Sequence, residues 1–443
     1  MRPSAWFTCI RGCPGRHSLR EVLYRCPTCG DLLEVEHDLA ALRERTPAAW
    51  REVTSARVTG GEWPLQSGVW SWHEWVQPHV DPANIVSLGE GASPLIPAPR
   101  LAASLGLERL WIKLCGQSPT GSFKDLGMTV LVSSVQQMIA DGRPIRALVC
   151  ASTGDTSAAL AAYGAAAGVP VVVLLPAGLV SGAQLLQPLA HGALVCSLDT
   201  DFDGCMRVVQ RLAADPTLYL ANSLNSLRVE GQKTIAPEIA RGLGWELPDW
   251  VLVPSGNLGN AAAIAKGFLE MQALGLCDRL PRLVACQAGA ADPLARAARR
   301  AEAAGRPLAE EDCAPLVAGP TAATAIRIGA PISLPKAVRA LTQLRGLARS
   351  AGEVELVAAA LQADRAGLYT CPQTAVALAC LGQLVRDRTI APADRVVVVS
   401  TAHGLKFDEF KARHAGPPTS IPADPESALT SIHRALDARA SAR

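Results

Sequence analysis

The sequence predicts an α/β protein, and three observations support this prediction. From residue 85 onward, short apolar runs rich in β-branched residues alternate with alanine-rich stretches, which is typical of parallel strands covered by helices. Three of the apolar runs end in loops rich in Gly, Ser, Thr or Asn. The 443 residues are 49% apolar, which is enough for large cores and suggests two or three domains.

A module at residues 1–40 contains two cysteine pairs. Three residues separate Cys9 from Cys13, and two separate Cys26 from Cys29. Four thiolates on two such turns can surround a tetrahedral ion, and the pattern indicates zinc. Small turns with reduced thiols also exist without metal, so this alternative stays open.

Seven apolar runs predict the strands of the α/β region, at residues 109–114, 146–150, 170–175, 193–198, 250–253, 282–286 and 395–400. Helical composition follows several of them, at residues 126–138, 158–167 and 261–274. The uncharged run 156–198 is long enough to cross a bilayer, but prolines, glycines and glutamines interrupt it, so we interpret it as helix, strand and helix. A proline-rich linker precedes a helical tail at 427–438.

Composition favours small-molecule chemistry over macromolecular partners. The 42 basic and 40 acidic residues give a net charge of +2, so we expect no nucleic-acid partner and no membrane association. Nine of the thirteen cysteines are scattered singly through apolar segments and indicate reduced core thiols. The first twenty residues contain four arginines and no apolar stretch of signal-peptide length, so we expect a cytoplasmic protein.

Lys124 is the main candidate for catalysis, as a Schiff-base lysine. It lies in the peptide Ser-Pro-Thr-Gly-Ser-Phe-Lys-Asp, residues 118–125, directly before the predicted helix 126–138. Desolvation or a nearby positive charge at such a position lowers the pKa of a lysine and makes it a nucleophile. A helix cap followed by an exposed lysine explains the same eight residues, so other segments must decide.

Three polar loops follow predicted strands and supply the other candidates, at residues 151–157, 255–260 and 400–406. The carboxyl ends of parallel strands are where ligands bind in open α/β sheets. Helix starts after the first two loops are suited to anions, and the glycines of the second let backbone amides approach a phosphate. Ordinary helix capping and tight turns are the alternatives for each loop alone.

Together these segments resemble the pyridoxal-phosphate enzymes of the tryptophan-synthase β-subunit fold, called fold type II, and within them the threonine synthases. Five blocks carry the resemblance in the same order and with similar spacing, at residues 118–130, 151–158, 221–234, 254–260 and 400–405. Phe-Lys-Asp-Leu-Gly at 123–127 and Gly-Asp-Thr at 154–156 are similar to the plant-type branch.

The resemblance implies two open, mostly parallel-sheet domains with the active site between them. The large domain would comprise residues 81–119 and 222–413, the small mobile domain 120–221, and a linker with a helical tail 414–443. A homodimer is also implied.

The resemblance also implies the roles of individual residues. Lys124 would hold the aldehyde of pyridoxal phosphate, Thr401 its pyridine nitrogen, and Asp155 its ring hydroxyl, where relatives often place Asn. The cofactor phosphate would bind to the loop of Gly256, Asn257, Leu258, Gly259 and Asn260. The substrate would bind to Ser152, Thr156, Asn222, Ser223 and Arg228. Without this context, Arg228 would be interpreted as half of a surface ion pair with Glu230.

The implied activity is that of a pyridoxal-phosphate-dependent carbon–oxygen lyase. It converts O-phospho-L-homoserine and water to L-threonine and phosphate, and activation by S-adenosylmethionine stays open. One alternative is a sister enzyme that acts on another phosphorylated amino acid, such as a cysteate synthase. A second, from another class, is a zinc-ribbon nucleic-acid-binding protein with an inactive enzyme domain; balanced charge and the intact Lys124 speak against it.

Overall fold

Three β-sheets organise the chain in a computed structural model that describes residues 3–152, 154–177, 182–200 and 202–441. The strands are β1 (Ala5–Cys9), β2 (His17–Ser18), β3 (Leu33–His37), β4 (Leu95–Pro97), β5 (Arg109–Leu114), β6 (Ala147–Ala151), β7 (Val171–Pro176), β8 (Leu194–Leu198), β9 (Leu218–Leu220), β10 (Trp250–Pro254), β11 (Arg282–Ala288), β12 (Leu347–Ala351) and β13 (Arg395–Ser400).

The α-helices lie between and around these strands. They are α1 (Leu39–Arg43), α2 (Pro47–Gly60), α3 (His73–Val76), α4 (Pro99–Leu105), α5 (Lys124–Ala140), α6 (Asp155–Ala167), α7 (Gly182–Ala190), α8 (Phe202–Leu212), α9 (Leu227–Gln232), α10 (Ile235–Gly242), α11 (Gly259–Ala273), α12 (Pro293–Ala303), α13 (Leu334–Gln343), α14 (Glu353–Arg365), α15 (Pro372–Arg386), α16 (Asp408–Ala415) and α17 (Pro425–Ser441). The predicted α/β class is confirmed.

The larger sheet has six strands in the order β12-β11-β10-β13-β5-β4. All neighbours are parallel except β4, which runs antiparallel to β5. Strand β13 is central, and its four consecutive valines are buried because helices cover both faces of such a sheet. The carboxyl ends of β5, β10 and β13 therefore meet at one edge, and the loops after them carry the residues of interest.

The second sheet has four parallel strands in the order β8-β7-β6-β9. The uncharged run forms α6, β7 and α7 around this sheet, as predicted. Helix α6 is rich in alanine, and most of its side chains are buried. Among the described residues, the helices are too short or insufficiently apolar to cross a membrane.

The N-terminal module forms the third sheet, in the antiparallel order β2-β1-β3. Phe7 and Val35 of this sheet share a buried cluster with Met128 and Val132 of α5. The module therefore packs directly against the helix that begins with Lys124.

A buried ionic cluster also attaches the module to the main body. His37 of β3 lies 2.7 Å from Glu230, which pairs with Lys233 at 2.6 Å. Lys233 pairs in turn with Glu270 at 2.8 Å. Burial lowers the pKa of His37, with a further decrease from the charge of Lys233. A neutral imidazole thus completes a cluster of opposite charges at the junction.

The chain divides into two compact units, Met1–Lys406 and Phe407–Arg443. The first unit contains all three sheets, and the second contains α16 and α17. This division falls before residue 413, where the sequence predicts the end of the large domain.

Candidate active site

Lys124 is the first residue of α5, and its side chain is partly buried. The Nζ atom lies 4.4 Å from the centre of the Phe123 ring and has no hydrogen-bond partner among the described residues. Burial lowers the pKa of this amine to about 7; the charge of Arg228 lowers it further, and Asp155 has a smaller, opposing effect. A pKa near 7 gives this amine a substantial neutral fraction at neutral pH, which is the form that can act as a nucleophile or a base.

The loop before Lys124 is attached to the residues that follow β13. Phe123 donates its backbone N–H to the carbonyl oxygen of Thr401 at 2.9 Å, and His403 donates its N–H to the carbonyl oxygen of Gly121 at 2.9 Å. Gly121 has a φ of +83°, a left-handed conformation that favours glycine. These bonds bring Lys124 and Thr401 to the same edge of the six-stranded sheet.

The hydroxyl of Thr401 belongs to a buried polar group. Cys371 Sγ lies 3.7 Å from Thr401 Oγ1 and 3.1 Å from Thr374 Oγ1. Thr374 Oγ1 accepts the N–H of Thr401 at 3.3 Å and donates to Ser400 Oγ at 3.3 Å. These contacts orient Thr401, while the long contact to sulfur leaves its hydroxyl free to bond a ligand.

Residues 256–260 form the turn from β10 into α11. A Cβ atom at Gly256 would lie 2.6 Å from the Cα atom of Ile326, so only glycine fits there. Helix α11 begins at Gly259, and its first N–H groups point out of the helix start. Asn260 is buried, and neither its side-chain oxygen nor its nitrogen has a partner among the described residues. Free amides at a glycine turn are suited to a phosphate.

The two remaining residues of this turn give it its shape. Leu258 is buried with a φ of +66°, which is uncommon for a residue with a side chain. Asn257 accepts the N–H of Ile332 at 2.6 Å and donates to Ser223 Oγ. Asn257 therefore connects the turn with Ser223, another predicted site residue.

Asp155 is the first residue of α6 and faces a lysine that follows β13. Its Oδ1 atom lies 3.2 Å from Lys406 Nζ, and its side chain is 9% exposed. Ser152 Oγ accepts the N–H of Gly154 at 3.3 Å. Thr156 is the next residue of the helix and is partly buried, whereas Thr153 lies outside the described residues.

Asn222 follows β9 and continues the sheet with its side chain. Its Oδ1 atom accepts the N–H of Ala151 at 3.0 Å, and its Nδ2 atom donates to the carbonyl oxygen of Ala151 at 2.8 Å. Both polar atoms are thus used on the backbone at the end of β6. The contact aligns the loop of Ser152 with the segment of Ser223.

Arg228 lies on α9, which packs closely against α5. A Cβ atom at Gly127 would lie 2.9 Å from the carbonyl oxygen of Arg228, so the two helices touch through glycine. Arg228 is 3% exposed, its Nη1 atom donates to Ala221 at 3.4 Å, and its Nε atom has no partner among the described residues. Burial lowers its pKa to about 10. The surface ion pair with Glu230 is therefore excluded, because Arg228 is buried and Glu230 pairs with lysines.

The four N-terminal cysteines come together within the N-terminal module. The Sγ atoms of Cys9, Cys13, Cys26 and Cys29 all lie within 4.8 Å of one another. A tetrahedral zinc with Zn–S bonds of about 2.3 Å needs sulfur atoms about 3.8 Å apart. The geometry of the cluster is compatible with that requirement.

Comparison with known proteins identifies the family. Residues 86–402 match the family described as "Pyridoxal-phosphate dependent enzyme". "Threonine synthase 2, chloroplastic" of Arabidopsis thaliana is 49% identical over 420 residues, which cover 92% of this chain and 80% of the relative. The chain belongs to the threonine synthases. Threonine synthase of Methanocaldococcus jannaschii is 38% identical and covers 94% of this chain and 96% of its own length.

Solved structures show the same fold. Threonine synthase from Escherichia coli has a TM-score of 0.64 at 20% identity and covers 96% of this chain and 94% of its own. The pyridoxal-phosphate-bound threonine synthase from Brucella melitensis has a TM-score of 0.65 at 20% identity and covers 95% and 93%. The chain therefore has fold type II, as predicted.

The residues at this edge fit the cofactor of the threonine synthases. Among the described residues, the amine of Lys124 has no hydrogen-bond partner, and neither do the buried side-chain atoms of Asn260 or the buried Oγ atom of Ser122. Buried polar atoms normally have partners, so this cluster of free groups indicates a ligand.

Asp125 is a residue of this threonine synthase fold that sequence reasoning missed. Its buried carboxylate accepts the N–H of Thr120 at 2.7 Å and the hydroxyl of Thr120 at 2.5 Å. Thr120 thus bonds to Asp125, and Phe123 takes the N-cap position without a side-chain bond. A cap followed by an exposed lysine is therefore a wrong interpretation of the peptide. The sequence feature that could have pointed to Asp125 is its position directly after Lys124.

The expectation of a cytoplasmic protein is wrong, because the Arabidopsis threonine synthase that is 49% identical is named as chloroplastic. The expectation rested on the lack of an apolar stretch of signal-peptide length and of a transit-like segment before the N-terminal module. Transit peptides are recognised by composition, being rich in arginine and serine and poor in acidic residues, and this signal is weaker than an apolar stretch.

Proposed function

We propose that this threonine synthase converts O-phospho-L-homoserine and water to L-threonine and phosphate, the last step of threonine biosynthesis. The observation that carries the proposal is the 49% identity to a threonine synthase over 92% of the chain. A buried amine with a pKa of about 7 at the expected position supports it.

Lys124 is the residue that moves protons in this proposal. Pyridoxal phosphate, when bound, supplies a ring that stabilises negative charge beside the substrate amino group. The neutral Nζ atom of Lys124 accepts the proton from the substrate α-carbon and passes protons to and from the β-carbon. With a pKa of about 7, this amine can both accept and return a proton at neutral pH.

Three groups of side chains would hold the cofactor. The turn Gly256, Asn257, Leu258, Gly259 and Asn260 would bind its phosphate, because the start of α11 and the amide of Asn260 offer free donors. Thr401 would bond to the ring nitrogen. Asp155 would accept a hydrogen bond from the ring hydroxyl, since a carboxylate has no hydrogen to donate.

The substrate would bind beside Arg228, Ser223 and the start of α6. Arg228 has a free Nε atom and two further nitrogens for the substrate phosphate. Ser152 and Thr156 would bond to its carboxylate at the helix start. Asn222 is already paired with Ala151, so we assign it to the placement of this loop.

Three further proposals concern the assembly. The cysteines Cys9, Cys13, Cys26 and Cys29 bind one zinc ion, which ties the turns of the N-terminal module together. The segment 120–221 moves as a small domain against the rest, so that closure excludes water until phosphate has left. Two copies of the chain form a homodimer.

Parallel assays with two phosphorylated amino acids test the proposed function. Holoenzyme is incubated with O-phospho-L-homoserine or with O-phospho-L-serine, and phosphate and threonine are measured together. We expect equal amounts of both products from the first substrate, none from the second, and neither with Lys124→Ala. Phosphate release from O-phospho-L-serine alone would instead identify a sister enzyme.

A further inference from the structure

Lys406 connects three parts of the site that are distant in sequence. Its Nζ atom lies 3.2 Å from Asp155 Oδ1, donates to Gln187 Oε1 at 2.6 Å and donates to the carbonyl oxygen of Thr120 at 2.9 Å. Gln187 also donates to the same carbonyl at 3.1 Å. The loop of Lys124, the start of α6 and the middle of α7 therefore meet at one ammonium group.

The stem of Lys406 is held as firmly as its charged end. A Cβ atom at Gly121 would lie 3.1 Å from Lys406 Cδ, so the glycine of the Lys124 loop lies directly on the lysine methylenes. The side chain of Lys406 is 18% exposed. An ammonium group in this position acts on its neighbours through little water, and its charge is screened less than at the surface.

The charged groups around Asp155 indicate what the ammonium group of Lys406 does at this position. Lys406 is the cation that pairs with Asp155, and the charge of Asp155 raises the pKa of the Lys124 amine against the effect of burial. Asp125 is a second carboxyl group, whose pKa burial raises to about 7 while the charge of Lys406 opposes this increase. His403 lies in the same loop as Lys406 and contacts Gly121. A carboxylate can only accept hydrogen bonds, so Asp155 is a suitable partner for a ring hydroxyl that donates, and a positive charge beside it strengthens its hold on that position.

We propose that Lys406 is a positioning residue that supplies the counter-charge of Asp155, orients it toward the cofactor ring hydroxyl, and couples this contact to the loop of Lys124. The inference rests on the role of Asp155 in the proposed function. It predicts that replacing Lys406 changes the pH titration of the bound cofactor when residue 155 is an aspartate. The same replacement should have little effect when residue 155 is a neutral side chain that needs no counter-charge.

A double-mutant cycle separates this role from a merely structural one. Lys406→Met, Asp155→Asn and the double variant are purified as holoenzymes, and the absorbance of bound pyridoxal phosphate is titrated with pH. In the Asp155 background, loss of the ammonium should raise the apparent pKa of the absorbance change by about one unit, because removal of a positive charge favours protonation. In the Asp155→Asn background, the same substitution should change that pKa by less than about 0.3 units.

Two single variants serve as controls in the Asp155 background. Gln187→Leu removes a partner of Lys406 but keeps the charge, so its titration should match the unsubstituted protein. Lys406→Arg retains a positive charge, and its titration should lie closer to the unsubstituted protein than that of Lys406→Met. These controls remain readable even if Asp155→Asn does not fold, which thermal unfolding will show.

The result that would overturn the inference is an equal shift of the apparent pKa in both backgrounds, or a shift with Gln187→Leu as large as with Lys406→Met. Either result would show that Lys406 only holds neighbouring segments together and does not act on Asp155 through its charge. The titration needs cofactor binding and no turnover, so a protein that binds pyridoxal phosphate but forms no threonine would refute the proposed function and leave this test intact.

Discussion

The backbone N–H of Phe123 donates to the carbonyl oxygen of Thr401 at 2.9 Å. This bond joins the loop that carries Lys124 to the end of the central strand of the larger sheet. Lys124 and Thr401 are thus placed by backbone contacts and not by their own side chains. Substitutions that change only one side chain should therefore leave the relative position of the two loops intact.

Capture of pyridoxal phosphate by the apoprotein should follow the ionisation of Lys124. Below pH 7 the amine is mostly protonated and above pH 7 mostly neutral, so the rate should rise through a midpoint near the pKa of about 7. Arg228→Met removes a positive charge that lowers this pKa, and the midpoint should move up by about one unit. Stopped-flow absorbance measures the profile. Arg365→Met, at an exposed position, is the control, and an unchanged midpoint in Arg228→Met would contradict this electrostatic account.

Gly256→Ala should damage the cofactor turn, whereas Gly259→Ala should not. At position 256 the added Cβ atom meets the Cα atom of Ile326 at 2.6 Å, but at position 259 it meets only Ser333 Oγ, at 3.4 Å. We expect a loss of about 1–3 kcal/mol in unfolding free energy for the first substitution, and at least about tenfold weaker cofactor binding. Denaturant unfolding and cofactor titration measure both. Equal stability and equal cofactor affinity of the two variants would show that the turn adapts to the added Cβ atom, and would contradict this prediction.

Asp125 should make stability depend on pH. Burial raises the pKa of Asp125 to about 7, against the effect of its hydrogen bonds from Thr120. The folded state therefore keeps a proton that the unfolded chain loses near its ordinary value of 3.8, and stability from this group falls as the pH rises from about 4 to about 7. Asp125→Asn should flatten this fall, measured by denaturant unfolding at several pH values. Asp278→Asn, at an exposed position, should not change the slope.

Glu230→Gln should weaken the junction of the N-terminal module. Burial opposes ionisation of Glu230, but the charges of Lys233 and Lys266 outweigh it and hold its pKa well below the usual value. Breaking a buried pair leaves uncompensated charge, so we expect a loss of about 3–5 kcal/mol at neutral pH. The pKa is lowered in the folded state, so the difference from the unsubstituted protein should shrink as the pH falls below about 4.5. Glu302→Gln, at an exposed side chain 3.7 Å from Arg349, should cost less than about 0.5 kcal/mol.

Zinc analysis tests the cysteine cluster. The purified protein should contain one zinc ion per chain, and Cys26→Ser should lose it and lower the melting temperature, because the ion joins both turns of the module. Cys196→Ser, outside the cluster, should retain the metal. A full-length protein without zinc after preparation in zinc-containing medium, with unchanged melting temperature in Cys26→Ser, would contradict the proposal.

The strands of the two parallel sheets were largely predictable because they are long and apolar. All seven predicted strands are present, among them Arg109–Leu114 and Arg395–Ser400 with the expected bounds. Strand β12 has the sequence Leu-Ala-Arg-Ser-Ala, with no β-branched residue, and it lies at the edge of its sheet. Strands β4 and β9 have only three residues each. Short or edge strands leave too weak an apolar pattern to be recognised.

Motifs within one loop were also accessible from sequence, whereas contacts between distant loops were not. Lys124 and the turn 256–260 stand out because glycines and hydroxyls surround them. Lys406 and Thr120 are separated by 286 residues, and it is the pairing of β5 with β13 that brings the loops after these strands together. Asn222 was assigned to the substrate from its place in a motif, but pattern alone could not reveal that Ala151 uses both of its polar atoms.

The central claim is best tested by following the oxygen atom that water contributes. Holoenzyme is incubated with O-phospho-L-homoserine in water enriched in a heavy oxygen isotope, and the products are analysed by mass spectrometry. We predict that threonine carries the heavy oxygen in its hydroxyl group and that the released phosphate carries none, with both products absent in Lys124→Ala. Heavy oxygen in the phosphate, with homoserine in place of threonine, would show simple hydrolysis of the phosphate ester and would contradict the proposed function.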